Sequence, residues 1–206
     1  MKVLALNGSP HKDGNTALAL KELGKSFASE GVELEIFWVG NKPIRDCTSC
    51  QQCSEIGCVF ADDQVNKFVA MAKEADGIVI ASPVYYAHPS GAIISFLDRV
   101  FYSSSRSFAG KVGASIAVAR RAGTCATFYV LNKYFGISGM PIAASTYWNI
   151  GFGQKKGEFA QDAEGIQTMH NLAKNMAWLI KSIRAGRNAG IDAPEYELGN
   201  WMNFVR

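Results

Sequence analysis

Four nearly continuous apolar runs punctuate the chain, at Val3–Leu6, Gly77–Ala81, Val112–Ala119 and Pro141–Ser145. A fifth stretch, VELEIFWV at 32–39, alternates apolar and polar positions instead. Continuous runs of this length suit strands buried on both faces of a parallel sheet, and alternation suits a strand with one more polar face. Between the runs, helical patterns cover 15–29, 63–75, 90–102, 124–136 and 162–184. Strand and helix alternate throughout, which predicts a three-layer, doubly wound α/β fold around a five-stranded parallel sheet. A small-residue loop directly after the first strand favours strand order 2-1-3-4-5. No internal repeat, low-complexity tract or linker interrupts the pattern, so residues 1–206 read as one domain. Two segments exceed the minimal fold: a connection at 40–62, and a tail at 186–206 that carries Trp201 and Phe204. Exposing those aromatics is unfavourable, so the tail is expected to pack on its own core or on a neighbouring copy.

Composition narrows the function classes. A chain of 206 residues with 48% apolar and 19% charged residues can bury one sizeable core. No apolar run approaches the roughly 18 residues that span a bilayer. The opening MKVLALNGSP breaks at Asn7–Gly8, too soon for a signal-peptide core, so a cytoplasmic protein without a membrane partner is expected. Net charge is +3 with the basic residues scattered, which offers no nucleic-acid face and argues against a strongly acidic docking protein. Four of the five cysteines fall within twelve residues, a distribution that suits reduced thiols or ligands better than a disulfide framework.

The candidate chemistry begins in NGSPHKDGNT, residues 7–16, between the first strand and the first helix. An ordinary connection there needs two to six residues and one cap. This one adds the side-chain donors of Ser9, Asn15 and Thr16, two glycines, and the free N–H groups of a helix that starts near Asn15. In open α/β sheets ligands bind beyond the carboxyl ends of the strands, and such a loop suits a phosphate. It matches neither G-x-x-x-x-G-K-[ST] nor G-x-G-x-x-G, and the missing lysine suits a phosphate monoester better than a triphosphate. A well-capped helix is the plain alternative. The stretch ASPVYYAHPSGAIISFLDR, residues 81–99, follows the third strand. There Pro83, Val84, Tyr85 and Tyr86 supply the rigid apolar wall that a flat aromatic ligand needs, unless they merely pack a helix on the sheet.

Both stretches resemble the flavin mononucleotide motifs of the NADPH-dependent FMN reductase family, within the flavodoxin superfamily. The similarity continues through VARRAG at 118–123, STYWNIGFG at 145–153 and QDAEGIQTMHNLAKNMAWL at 161–179. The resemblance implies a flavodoxin-like fold, bound FMN, oxidation of NADH or NADPH, and homodimers or homotetramers. It places Ser9, His11, Asn15 and Thr16 at the phosphate. It lines the ring with Pro83, Val84, Tyr85 and Tyr86, and sets Arg120, Arg121, Ala122 and Gly123 near its pyrimidine side. One of the two adjacent arginines would stabilise the negative charge of reduced flavin, so Arg120 and Arg121 are the candidate electrostatic groups. Electron acceptors in keeping with this chemistry are a quinone, free flavin, a nitro compound or a metal ion. A non-enzymatic flavodoxin-like electron carrier is the alternative, opposed by the basic charge.

Cys47, Cys50, Cys53 and Cys58 form C-x2-C-x2-C-x4-C. Thiolates at this spacing can surround one compact cluster of the 4Fe-4S type, and the first three follow the bacterial ferredoxin run. The spacing resembles the cluster motif of iron–sulfur flavoproteins, in which electrons would pass to a redox protein. Thiols in a loop beside the flavin are the other reading. Cys125, alone in a helical pattern, is expected to pack. Asp98–Arg99 reads as an ion pair or as solvated charge. Tyr147–Trp148 either stacks near the substrate or closes the core. His11, His88 and His170 are too scattered for a metal site, and His88 reads as a loop residue at the mouth of the crevice.

Overall fold

The computed structural model of the protein describes residues 1–200, 202 and 204. Strands β1 (Lys2–Asn7), β2 (Glu33–Trp38), β3 (Gly77–Tyr85), β5 (Val112–Ala119) and β6 (Ile150–Phe152) form a parallel sheet in the order β2-β1-β3-β5-β6. A two-residue strand, β4 (His88–Pro89), folds back antiparallel on the end of β3. Setting that hairpin aside, this is the 2-1-3-4-5 order of flavodoxin-like folds.

Helices α1 (Asn15–Ser29), α2 (Val65–Glu74), α3 (Gly91–Ser104), α4 (Thr124–Ile137) and α5 (Ala163–Asn188) cover both faces. The uniform apolar runs explain the two cores. In β1, Val3 and Ala5 point into one, while Leu4 and Leu6 point into the other. The first core joins β1, β3 and β5 to α1 and α5 through Leu20, Phe27, Met169 and Leu172. The second holds Phe68 of α2, Phe96 of α3 and Phe135 of α4. On β5 the α4-facing positions are small. A Cβ at Gly113 would lie 2.6 Å from the Phe135 ring, so glycine there lets α4 sit close to the sheet.

Three boundaries depart from the pattern. The expected fifth strand at 141–145 is one bridge, Gly113 to Ile142, and the chain then loops out and rejoins β5 as β6 at 150–152. Ser145 explains the detour, because its hydroxyl donates to the Thr168 carbonyl of α5 at 2.8 Å. Strand β3 runs on past Ala81 to Tyr85, into a hairpin whose turn residues Tyr86 and Ala87 both have positive φ, 51° and 59°. Helix α5 ends at Asn188, and residues 191–200 carry no regular structure and are exposed. Tyr196 lies near Gly139, where a Cβ would come within 2.8 Å of its hydroxyl, but Ile191, Leu198 and Phe204 stay largely exposed. Trp201 lies outside the described residues. Among the described residues, no helix is long and apolar enough to cross a membrane.

Candidate active site

The carboxyl ends of the strands open onto a cleft of about 630 Å³. Ser9 to Thr16 after β1, Trp38 at the end of β2, Pro83 and Tyr85 of β3, Val118 of β5, and Gly153, Gln154 and Lys156 after β6 line it. A cleft of this size and position suits a mononucleotide.

The loop after β1 is held from within. Ser9, 4% exposed, donates its N–H to Asn7 Oδ1 at 3.1 Å, and its hydroxyl accepts from the His11 N–H at 3.1 Å. Trp38 pins the loop from β2 by donating its indole N–H to the Ser9 carbonyl at 2.7 Å. Helix α1 then begins without a side-chain cap. Among the described residues, the N–H groups of Asn15, Thr16 and Ala17 have no acceptor, and Thr16 and Ala17 are buried. Buried N–H groups at a helix start demand partners, and a phosphate at this cleft would supply them. The loop therefore fits the phosphate end of FMN.

Two residues take roles that differ from a simple phosphate clasp. The Asn15 side chain is committed to the opposite wall: its amide donates to the Lys155 carbonyl at 2.9 Å, and its oxygen accepts from the Gly157 and Phe159 N–H groups at 3.1 and 3.3 Å. What it leaves for a ligand is its backbone N–H. Gly8 serves packing, because a Cβ there would lie 2.1 Å from Ile93 Cδ1 of α3. Glu158 braces the same opposite wall by accepting from the Gln154 and Lys155 N–H groups, both at 2.8 Å, and these bonds hold its carboxyl below the usual range.

The β3 hairpin supplies the second wall. Pro83 is half-buried, Tyr85 is 45% exposed and Tyr86 projects fully. Val84 packs on the loop after β5: a Cβ at Gly123, whose φ is +87°, would sit 2.9 Å from Val84 Cγ1 and 2.6 Å from Ala87 Cα. Thus Tyr85 and Pro83 face the cleft, while Val84, Tyr86 and residues 120–123 stand beside it. Arg120, Arg121 and Ala122 are exposed. Ser90 ties the two ligand-facing segments together by donating to the Gly8 carbonyl at 2.9 Å and receiving support from Ser82. The half-open hollow and its aromatic edge fit a flat ring.

Trp38, Gln154 and Lys156 were not legible as site residues. Trp38 sits at the end of an alternating strand, and Gln154 and Lys156 lie just past the stretch STYWNIGFG. Tyr147 and Trp148 stack edge-on with centroids 4.7 Å apart, at 52% and 41% exposure. They do not close the core. Cys125 is exposed on α4, not packed. His88 is exposed on the hairpin, and His170 faces Glu22 at 3.4 Å.

In the connection between β2 and α2, Cys47, Cys50, Cys53 and Cys58 line one small hollow together with Phe60 and with Arg99 and Tyr102 of α3. Burial pushes the Cys53 thiol up, and Cys58, Cys50 and Cys47 add to it as neighbouring like charges. Among the described residues, no three ligand side chains close on a point that would hold a single metal ion. The four thiols share that hollow, and four cysteine thiolates are the ligand set of a 4Fe-4S cluster. Beneath it, Arg99 pairs with Asp63, not with the adjacent Asp98, which accepts from Tyr134. Burial opposes the Arg99 charge, yet Asp63 and Cys58 hold its pKa above the ordinary value.

Comparison with known proteins gives the family and the fold. A model of the family described as NADPH-dependent FMN reductase matches residues 1–155. An iron–sulfur flavoprotein of Methanocaldococcus jannaschii is 33% identical over 198 residues, covering 89% of this chain and 100% of that protein. Among solved structures, RosB bound to 8-demethyl-8-formylriboflavin-5'-phosphate superposes with a TM-score of 0.69 at 16% identity, over 100% of this chain and 92% of that one. An archaeal flavodoxin superposes with a TM-score of 0.59 at 15% identity, over 88% of this chain and 99% of that one. These two likenesses establish the flavodoxin-like fold. By the match over residues 1–155, the chain belongs to the NADPH-dependent FMN reductase family of flavin oxidoreductases.

Proposed function

We propose that this oxidoreductase binds FMN in the cleft at the carboxyl ends of β1 and β3, oxidises NADH or NADPH there, and passes electrons to a small acceptor. A quinone, free flavin, nitro compound or metal ion fits that role. The single observation that carries the reading is the start of α1, where, among the described residues, the N–H groups of half-buried Asn15 and of buried Thr16 and Ala17 have no acceptor, at a cleft that Asn15 and Thr16 share with the aromatic hairpin. Bound FMN supplies a ring that takes up a hydride and gives electrons up again. The protein binds and orients. Ser9, His11, Thr16 and the first N–H groups of α1, including that of Asn15, hold the phosphate. Pro83 and Tyr85 form the ring's wall, with Val84 and Tyr86 beside it. Ala122, Gly123 and one of Arg120 and Arg121 stand at the pyrimidine edge, where a guanidinium or N–H favours added negative charge.

Cys47, Cys50, Cys53 and Cys58 would hold a 4Fe-4S cluster, which supplies one-electron transfer to a redox protein. Their convergence on one hollow and the likeness to the M. jannaschii protein support this. The family also implies a homodimer or homotetramer, and the exposed apolar tail offers surface for it.

Anaerobic mixing of the flavin-loaded protein with NADPH, and separately with NADH, tests the reading. Bleaching of the flavin bands with one donor is expected. A flavin that stays oxidised with both would overturn it.

A further inference from the structure

We propose that Arg99 is the positioning residue of the cysteine site: it seats Cys58 as a ligand and, through a hydrogen bond to that sulfur, raises the cluster's reduction potential. This rests on the reading of the four cysteines as cluster ligands.

Arg99 lies in the middle of α3 and is 1% exposed. A buried guanidinium is costly unless its donors are all used. Here every one is spent on the cysteine-bearing loop. Nε donates to Cys58 Sγ at 3.3 Å, Nη2 donates to the Phe60 carbonyl at 2.9 Å, and Nη1 donates to the Arg45 carbonyl at 3.4 Å. The planar fork then grips both oxygens of Asp63, one of them through Nη2 at 3.3 Å.

Cys58 is fixed from a second side. The Asn66 side chain accepts from the Cys58 N–H at 2.8 Å and donates to its carbonyl at 2.7 Å. Gly57 makes room for this clamp, since a Cβ there would lie 2.5 Å from Asn66 Oδ1. Cys58 is thus the sulfur whose backbone and side chain are both held before any ligand arrives. By contrast, the turn around Cys50 runs through Ser49 and Gln51 at positive φ, 52° and 57°. A sulfur carries more negative charge when a cluster is reduced, so an N–H donor aimed at it stabilises the reduced state more than the oxidised one. The role of Asp63 is to balance the guanidinium charge and, by accepting from the Val65 N–H at 3.0 Å, to fix its own position at the start of α2.

The test compares the wild-type protein with Arg99→Gln, Arg99→Lys and Asp63→Asn, each reconstituted anaerobically with iron and sulfide. Iron and sulfide content and an EPR-monitored titration with dithionite are read for each. In Arg99→Gln the reduction equilibrium constant is expected to fall about tenfold, which for one electron is about 59 mV. Arg99→Lys, which keeps the charge, moves the same way by less. Asp63→Asn, which leaves the guanidinium unbalanced, moves the potential upward. A purely structural role would not give shifts of opposite sign. If wild type takes up neither iron nor sulfide, the cluster reading itself falls and this proposal with it. If wild type loads and the Arg99 variants titrate at its potential, the cluster stands and the role of Arg99 is overturned. Should the variants not fold, wild-type protein labelled with ¹⁵N-arginine decides. Nitrogen coupling to the reduced cluster is expected, and its absence overturns the proposal.

Discussion

Replacing Asn15 separates two roles that its sequence motif conflates. As a phosphate ligand, its side chain would matter only when FMN is bound. As a tether, it matters in the flavin-free protein, because it makes three hydrogen bonds to the loop at 155–159. Each such bond contributes about 0.5–1.5 kcal/mol net. Asn15→Ala loses all three, so a destabilisation of about 2–3 kcal/mol is expected. Asn15→Asp keeps the acceptor for Gly157 and Phe159 and loses the donor to Lys155, so about 1 kcal/mol is expected. For a chain of this size, the Asn15→Ala loss corresponds to a fall in melting temperature of about 4–12 °C. Urea unfolding of the flavin-free proteins, followed by far-UV circular dichroism, measures both. FMN affinity is read separately by fluorescence quenching and should also weaken, because the cleft loses its braced wall. An Asn15→Ala protein as stable as wild type when flavin-free, yet impaired in FMN binding, would refute the tether and restore the side chain as a ligand.

Other substitutions test neighbouring parts of the site. Gly8→Ala forces a Cβ against the buried Ile93 and should cost about 1–3 kcal/mol, with part of that loss recovered in the Gly8→Ala, Ile93→Ala double variant; strict additivity in denaturant unfolding would contradict the contact. Ala87→Gly removes a left-handed strain in the hairpin and should stabilise the protein by up to about 1 kcal/mol by the same measurement. Glu158 has a depressed carboxyl pKa from the Lys155 and Gln154 N–H bonds, so its hold on the loop is complete above pH 4.5, its ordinary value, and is lost as pH falls through the lower folded value. The Gln154 and Lys155 amide resonances should accordingly titrate below pH 4.5 in wild type and not in Glu158→Gln. Any one of Cys47, Cys50, Cys53 and Cys58 changed to Ala should reduce iron and sulfide uptake on reconstitution, whereas Cys125→Ala, on exposed α4, should leave it unchanged.

The central sheet is legible in the sequence because its strands are buried on both faces, which gives long runs of Val, Ile, Leu and Ala that a half-exposed strand or a surface helix would interrupt with polar residues. The pattern fails where a single polar anchor redirects the chain. Ser145 bonds α5, so the apolar run at 141–145 pairs at one point and β6 begins later. The cleft's loops are legible as small-residue segments at strand ends, but which atoms face a ligand is not. Asn15 and Gly8 look alike as loop residues, and only the packed partners, the 155–159 loop and Ile93, show that one tethers and the other makes room. Arg99 is the sharpest case. Adjacent Asp98 invites a local pair, yet the helix turns the two side chains apart, and the partner that buries Arg99 is Asp63, at the far end of the cysteine loop. Separations of that kind leave no periodic trace.

The cleft's claim on a phosphate-bearing flavin is tested most directly by titrating flavin-free protein with FMN and with riboflavin, in wild type and in Thr16→Val. One FMN per chain, bound more than about tenfold tighter than riboflavin, is expected, because charge-assisted bonds to a phosphate contribute about 1.5–3 kcal/mol each. That preference should shrink in Thr16→Val while riboflavin binding stays constant. Folded protein that takes up no FMN, or that binds the two flavins equally, would contradict the account.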